Sequence, residues 1–288
     1  MSLEKRSPCK LNLLLNILGK RPDGFHELET LMYPIGLFDR LTFERGEGIE
    51  LTCSEPSLPV DHTNLVWRAA AAFFERAGVA PGVRIHLEKH IPLAAGVGGG
   101  SGNAATTLLG LNELWGNPLA PSQLHQLAAT LGSDVPFFLQ NKPALGTGRG
   151  EAIQPLDFFP ALNSLAFVLL YPGFGVPTAW AYRALAEFPE AVNGQPGRAH
   201  SLAHCLQAGE LTKACAQFYN SLEAPVLRKY PLLAMYQDFL RENGALATLM
   251  SGSGSTTFAL AQNETSARHL EARVRKRFGP LWCKVLPA

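Results

Sequence analysis

The residues with the clearest chemical potential lie in one glycine-rich run, Pro92-Leu-Ala-Ala-Gly-Val-Gly-Gly-Gly-Ser-Gly-Asn-Ala-Ala-Thr106. Glycine occupies positions 96, 98, 99, 100 and 102, so backbone N–H groups can approach a ligand with no side chain in the way. The run leads directly into a helical pattern. A helix start carries unpaired N–H groups and the positive end of the helix dipole, which together favour phosphate. Ser101 and Asn103 can add side-chain donors. Taken alone, the run reads equally well as a tight turn built for packing. Two known phosphate loops do not match it. There is no Gly-Lys followed by Ser or Thr, as a P-loop requires. The dinucleotide fingerprint needs a glycine three residues after Gly98, where Ser101 stands.

Other groups stand ready for chemistry elsewhere in the chain. Lys10, Asn12, Leu14 and Asn16 share one face of a strand by the period of two; the usual fate of such a lysine is exposure on a strand. Asp134, between Gly132 and the apolar Val135-Pro-Phe-Phe138, reads as a helix cap or as a base at a cleft floor. Phe25 and His26 offer a stacking face beside a ring with two nitrogens. His86 and His90 are too far apart on a strand to share a metal readily. His200 and His204 can share a helix face, but a closed zinc site needs about four ligands and no second cluster accompanies them. No metal ligand is assigned.

These groups must be held by a recognisable series of elements. Residues 10–17 alternate as a strand, and 21–26 form a turn. Residues 39–44 and 49–53 are expected to pair as a hairpin. A helix is expected over 64–77, a strand over 83–87, and a helix from the glycine run to Trp115 with Ala104, Leu108, Leu111 and Trp115 on its apolar face. Ser122 is expected to cap a helix ending at Gly132. Past a weak boundary at 155–160, a strand is expected at 165–171 and an aperiodic stretch at 189–200, a lid or a disordered loop. Helices follow near 201–218 and 231–243. Strands at 247–250 and 256–261 flank Ser251-Gly-Ser-Gly-Ser255, and a helix at 265–277 precedes a last strand at 281–286. Mixed order with a β-rich start and an α-rich second half points to an α+β protein of two lobes, 1–157 and 158–288.

The chain has 288 residues, of which 47% are apolar and 17% charged, with a formal net charge of +1. That balance excludes disorder for the bulk of the chain and disfavours a nucleic-acid reader, which would carry a basic face. Cysteines at 9, 53, 205, 215 and 283 include no C-x-x-C pair, which suits free thiols in a reducing compartment. No leader or membrane span is legible, and a cytoplasmic location is expected.

Three segments in order resemble the motifs of the GHMP kinases: Ser7-Pro-Cys-Lys-Leu-Asn12, the glycine run, and Ser251-Gly-Ser-Gly-Ser255 before an apolar strand. Within that superfamily, Lys10-Leu-Asn-Leu, Arg21-Pro-Asp-Gly-Phe-His-Glu-Leu28, Leu131-Gly-Ser-Asp-Val-Pro-Phe-Phe138, Gly146-Thr-Gly-Arg-Gly-Glu151 and Tyr171-Pro-Gly-Phe-Gly-Val-Pro-Thr178 are similar to the family of 4-diphosphocytidyl-2-C-methylerythritol kinases. The resemblance implies a ribosomal-protein-S5-domain-2-like N-terminal lobe and a ferredoxin-like α/β sandwich C-terminal lobe. It implies transfer of the γ-phosphate of ATP, carried with Mg²⁺, to a hydroxyl of a cytidine diphosphate derivative in the non-mevalonate route to isoprenoid precursors. A homoserine or mevalonate type of kinase, and a non-catalytic ligand-binding member, are the rival readings. The protein is expected to be a monomer or homodimer with no nucleic-acid or membrane partner.

The resemblance also carries roles onto residues. Asp134 falls on the catalytic aspartate and Lys10 on the active-site lysine that is its charge partner. ATP contacts fall on Pro92, Leu93, Ala94, Ala95, Gly96, Val97, Gly98, Gly99, Gly100, Ser101, Gly102 and Asn103, with Asn64, Leu65 and Lys89 near the nucleotide base. Substrate contacts fall on Asn12, Phe25, His26, Thr178 and Tyr182. The family usually has Tyr where this chain has Phe25, and Phe where it has Tyr182; both exchanges keep a stacking face. Ser101-Gly102 stands where a Ser-Ser pair is common, which removes a hydroxyl but no backbone N–H. Cys9 replaces a common Ala and reads as packing.

Overall fold

A computed structural model of the chain describes residues 2–192 and 194–288. Asn193, inside the stretch 189–200, lies outside the described residues. Two long strands, β1 (Ser2–Lys20) and β2 (His26–Arg45), come first and are joined by the turn expected at 21–26. They are followed by β3 (Gly48–Cys53), α1 (Leu65–Ala77), β4 (Gly82–Glu88), α2 (Gly99–Leu114) and α3 (Pro121–Leu131). A 3₁₀ turn at Pro136–Leu139 leads to β5 (Ala144–Thr147), β6 (Ala152–Pro155), β7 (Ala166–Tyr171) and α4 (Thr178–Ala184). Next are α5 (Arg198–Gln207), α6 (Leu211–Cys215), β8 (Tyr219–Asn220), α7 (Glu223–Lys229) and α8 (Pro231–Glu242). The chain closes with β9 (Ala247–Met250), β10 (Thr257–Ala261), α9 (Glu264–Phe278) and β11 (Trp282–Pro287). The class is α+β, as expected.

The chain forms two compact units, each assembled from several stretches. The first takes residues up to Cys9, then Leu37–Leu93 and Gly98–Asn141; the second takes Lys10–Gly36, Ala94–Val97 and Lys142–Ala288. Strands β1 and β2 contribute residues to both. Among the described residues no helix is long and apolar enough to cross a membrane.

In the first unit, β4 lies between β2 and β3. It runs antiparallel to β2, with Leu41 opposite Leu87, and parallel to β3, with Leu51 opposite Ile85. The expected hairpin of 39–44 with 49–53 is therefore corrected: β4 occupies the slot between them after a helical crossover, which a parallel pair requires. That crossover is α1. Asn64, in extended geometry, accepts from the Val66 N–H at 2.9 Å and starts the helix; Gly78, in the left-handed conformation, ends it. Its buried residues Val66, Ala69, Ala70, Phe73 and Phe74 follow helical spacing. Helix α2 buries Ala104, Leu108 and Leu111, but also Ala105, Thr106, Thr107 and Gly110, so it is enclosed on more than the single face expected. Helix α3 begins earlier than Ser122. Pro121 takes the first position, which suits its fixed φ, and the Gln123 side chain accepts from the Ala120 N–H at 2.9 Å.

In the second unit, an antiparallel sheet in the order β11-β7-β10-β9 packs against α8 and α9. Leu170 faces Thr257 on one side and Cys283 on the other. The core includes Val168, Leu170, Leu233, Leu240, Leu270 and Val274. Full burial of such side chains contributes roughly 1.5–3 kcal/mol each. The N-terminal part of β2 pairs with β5, and β1 pairs in parallel with β8. The single helix expected over 201–218 is two, α5 and α6, interrupted at Gly209 with φ +76°. The stretch 189–200 is more ordered than expected. It holds a 3₁₀ turn at Pro189–Ala191 and a bridge between Ile17 and Val192, and α5 already begins at Arg198. The buried Glu29 carboxylate accepts from the Gly197 and Arg198 N–H groups, each at 2.8 Å.

All five cysteines are free thiols. Burial pushes the Cys283 thiol up to about 12.

Candidate functional site

In the first unit, the start of α2 offers donors. Gly98 adopts φ +71°, and the Gly102 N–H bonds to the Gly98 carbonyl at 2.9 Å. The N–H groups of Gly99, Gly100 and Ser101 precede that bond and have no carbonyl of the helix behind them. Gly100 is exposed, and a Cβ there would meet only Leu65, at 3.6 Å. An anion thus has an open approach. Gly102 serves another purpose: a Cβ there would lie 2.3 Å from the Pro8 carbonyl oxygen. The glycine that replaces a common serine is demanded by the closeness of β1.

Asn103 departs from the expectation that it adds a phosphate donor. Its amide nitrogen donates to Ser7 Oγ and Asp39 Oδ2, both at 2.9 Å, and its oxygen accepts from Lys89 Nζ at 3.2 Å. Asp39 is the hub of this network and is 0% exposed. It forms an ion pair with Lys89 and accepts from the His90 and Ile91 N–H groups at 2.8 and 2.9 Å. Nothing local in the sequence marked Asp39, because its partners lie some fifty residues or more away. Lys89 Nζ lies 3.6 Å from where a Cβ of Gly99 would sit, so the buried ammonium stands at the first turn of α2. Of the three residues expected near the nucleotide base, Leu65 and Lys89 touch that turn, while Asn64 caps α1 and donates to the Pro59 carbonyl at 2.6 Å.

Asp134 is half-buried in the turn 132–135, closed by the Val135 N–H to the Gly132 carbonyl at 3.1 Å. The cap position before the 3₁₀ turn belongs to Val135, which makes no side-chain cap bond. Pro136, Phe137 and Phe138 are buried behind it.

In the second unit, Lys10 is 2% exposed, so it is not a surface lysine. Its ammonium donates to Asn12 Oδ1, and its N–H donates to the Val97 carbonyl at 2.9 Å. Asn12 Nδ2 donates to Thr30 Oγ1 at 2.8 Å, and Thr30 in turn donates to the Leu14 carbonyl. Asn12 therefore orients Lys10 with both ends of its amide engaged. Ser251 donates to the Gly96 carbonyl at 3.0 Å and accepts from the Asn12 N–H at 3.3 Å. The Thr256 N–H donates to the Ala95 carbonyl at 3.0 Å. The segment 94–97 and the loop 251–255 are thus stitched together. Thr178, at the start of α4, lies 2.9 Å from Ser253 Oγ, hydroxyl to hydroxyl.

Two of the three aromatic candidates also meet in the second unit. His26 and Tyr182 have ring centroids 5.3 Å apart, tilted by 39°. Phe25 is exposed, and the Arg149 guanidinium sits 4.8 Å from its ring centre. Arg149 was not singled out from the sequence; only its place in Gly146–Glu151 pointed toward it. Burial, and then the charge of Lys20, lower the pKa of His26 and so favour its neutral ring. A neutral imidazole presents one donor and one acceptor.

Comparison with known proteins adds independent findings. The family model described as the GHMP kinases N terminal domain matches residues 64–142, and the GHMP kinases C terminal model matches 202–280. A 4-diphosphocytidyl-2-C-methyl-D-erythritol kinase of Pelotomaculum thermopropionicum is 44% identical over 270 residues, covering 93% of this chain and 92% of the relative. One from a Geobacter species is 39% identical and covers 96% of each chain. A crystal structure of 4-(cytidine 5'-diphospho)-2C-methyl-D-erythritol kinase superposes with a TM-score of 0.82 at 38% identity, covering 99% of this chain and 100% of the other. A homoserine kinase from Cytophaga hutchinsonii shares the fold, with a TM-score of 0.75 at 18% identity, over 99% and 93% of the two chains.

Proposed function

Because the chain belongs to the GHMP kinases and is an ATP-dependent small-molecule kinase, we propose that its acceptor is 4-diphosphocytidyl-2-C-methyl-D-erythritol, phosphorylated on a hydroxyl to give the 2-phosphate and ADP. The observation that carries the acceptor is the group of Phe25, His26 and Tyr182: a ring face beside a neutral imidazole suits a pyrimidine. Homoserine and mevalonate have no base to stack. The relatives named as this kinase support the same acceptor.

In the proposed reaction the acceptor oxygen attacks the γ-phosphorus, the bond from that phosphorus to the β-phosphate oxygen breaks, and ADP leaves. Asp134 accepts the hydroxyl proton. Lys10, oriented by Asn12, supplies positive charge for the transferring group. The donors at the start of α2 hold phosphate, and Lys89 adds a fixed positive charge near them. Mg²⁺ neutralises charge between the β- and γ-phosphates when it is bound. Among the described residues no three His, Cys, Asp or Glu side chains converge on a metal; the Ser101 hydroxyl would be the protein oxygen available to hold the ion. Residues 1–157 would serve ATP binding and catalysis, and 158–288 would complete the substrate site.

ATP consumption with the cytidyl substrate, against homoserine and mevalonate as comparators, tests the acceptor; equal turnover on either comparator removes it. Asp134→Asn is expected to lower kcat by about 100-fold or more while KM for ATP changes little. Turnover equal to wild type would take Asp134 out of the mechanism. Phe25→Ala is expected to raise KM for the cytidyl substrate by about 3- to 10-fold, and an unchanged KM would sink the stacking role.

A further inference from the structure

We infer that Asn220 is a positioning residue of this kinase: its amide fixes the carbonyls of the residues on both sides of Ser251, and through Ser251 it sets the Gly96 peptide and the strand that carries Asn12 and Lys10. The inference takes ATP-dependent phosphotransfer through Lys10 as given.

The loop 251–255 alternates serine and glycine, and Gly252 and Gly254 have φ of +56° and +85°. Such a sequence has little conformational preference of its own. Its shape must come from outside, and Asn220 supplies it. Asn220 is 2% exposed. Its Nδ2 donates to the Met250 carbonyl and to the Gly252 carbonyl, both at 2.7 Å, and its Oδ1 accepts from the Leu222 N–H at 2.9 Å. Two donors and one acceptor, at these positions, demand a carboxamide. Glu223 accepts from the Met250 N–H at 2.8 Å, so the residues flanking Ser251 are gripped by two residues of one short segment.

That segment is itself fastened to β1. Leu15 faces Asn220 in the parallel pair, the Ser221 N–H donates to the Leu15 carbonyl at 2.9 Å, and Ser221 Oγ accepts from the Ile17 N–H at 3.0 Å. Asn220 therefore measures the loop against the same strand that carries Lys10. From the loop, Ser251 reaches the Gly96 carbonyl and the Asn12 N–H, and Asn12 orients the Lys10 ammonium. There is no slack at Gly96: a Cβ there would lie 2.2 Å from the Ser251 carbonyl oxygen. A shift of the loop by a fraction of an ångström must move one or the other.

A residue that merely satisfies two carbonyls would affect stability alone. A positioning residue affects turnover through Ser251. Asn220→Asp keeps the size and the acceptor for Leu222 but removes both donors. It is expected to lower kcat about 100-fold, the scale of a misplacement near 1 Å, with KM for the cytidyl substrate changing by less than about tenfold, since the stacking group of Phe25, His26 and Tyr182 is untouched while Asn12 and Thr178 feel the loop. Ser251→Ala is expected to lower kcat as well, and the double variant Asn220→Asp/Ser251→Ala to fall no further than about threefold below Asn220→Asp alone. A kcat for Asn220→Asp within threefold of wild type overturns the inference, and so do losses that multiply in the double variant. If Asn220→Asp does not fold, Asn220→Ser, which keeps one donor, goes through the same cycle under the same criteria. Wild-type enzyme that ignores the cytidyl substrate yet phosphorylates another alcohol overturns the acceptor reading alone; the cycle is then read on that alcohol.

Discussion

The stretches 94–97 and 98–103 are neighbours in one glycine run, yet they belong to different units and their glycines do different work. In 94–97, Gly96 is glycine because the Ser251 and Gly254 backbones leave no room, and the segment is held by neutral bonds from Ser251 and Thr256. In 98–103, Gly100 is exposed and a Cβ there would meet only Leu65, in ordinary contact, and the segment is held by a buried ionic network of Asn103, Asp39 and Lys89. A glycine run is therefore not one signal. Some of its glycines clear a path for a ligand, and others clear a path for the protein's own backbone.

The largest expected effect comes from breaking the ionic anchor. Lys89→Met leaves the fully buried Asp39 carboxylate with donors but no cation, and should reduce the unfolding free energy by about 3–5 kcal/mol, read by denaturant titration. A loss below 1 kcal/mol would mean that the network does not hold the start of α2. Gly96→Ala comes next. A left-handed alanine costs about 1–2 kcal/mol and overpacking about 1–3 kcal/mol, so a loss near 3 kcal/mol is expected, together with a fall in kcat. Gly102→Ser, which restores the commoner residue, should cost about 1–3 kcal/mol through the Pro8 carbonyl and leave KM for ATP within about threefold; a large KM effect would place Gly102 with the ligand-facing glycines. Gly100→Ala should be the mildest. Helix propensity favours it by up to about 1 kcal/mol, while the added methyl should raise KM for ATP by less than about tenfold, equivalent to 1.4 kcal/mol. An unchanged KM would show that the ligand does not approach there.

Elements with a local signature were legible. Asn64 and Gly78 bracket α1 as their residue types suggest, and β7, β9, β10 and β11 fall where apolar runs placed them. Non-local pairing left no such trace. The insertion of β4 between β2 and β3, and the two-residue β8 beside β1, depend on register across distant stretches. The site divides in the same way. Lys10 and Phe25–His26 stand out through motif resemblance, and the α2 start through its glycines. Asp39 and Asn220 carry no local sign, because a buried polar residue with remote partners looks, in sequence, like any surface Asp or Asn. The Asn103 amide, which the sequence offers as an outward donor, is turned inward by its partners Ser7 and Asp39.

The division of β1 between the units has a consequence for how the protein is made. Once Asn141 has left the ribosome, every stretch of the first unit is available to fold. The second unit cannot be completed then: Asn12 bonds to a serine 239 positions downstream, and Leu15 must wait for Asn220. The strand that carries Lys10 thus stays without these partners through most of translation, and the long loop to be closed makes its docking a slow event. The strand that carries Lys10 is therefore completed only after residues 220 and 251 have been made, when the first unit has already had time to form.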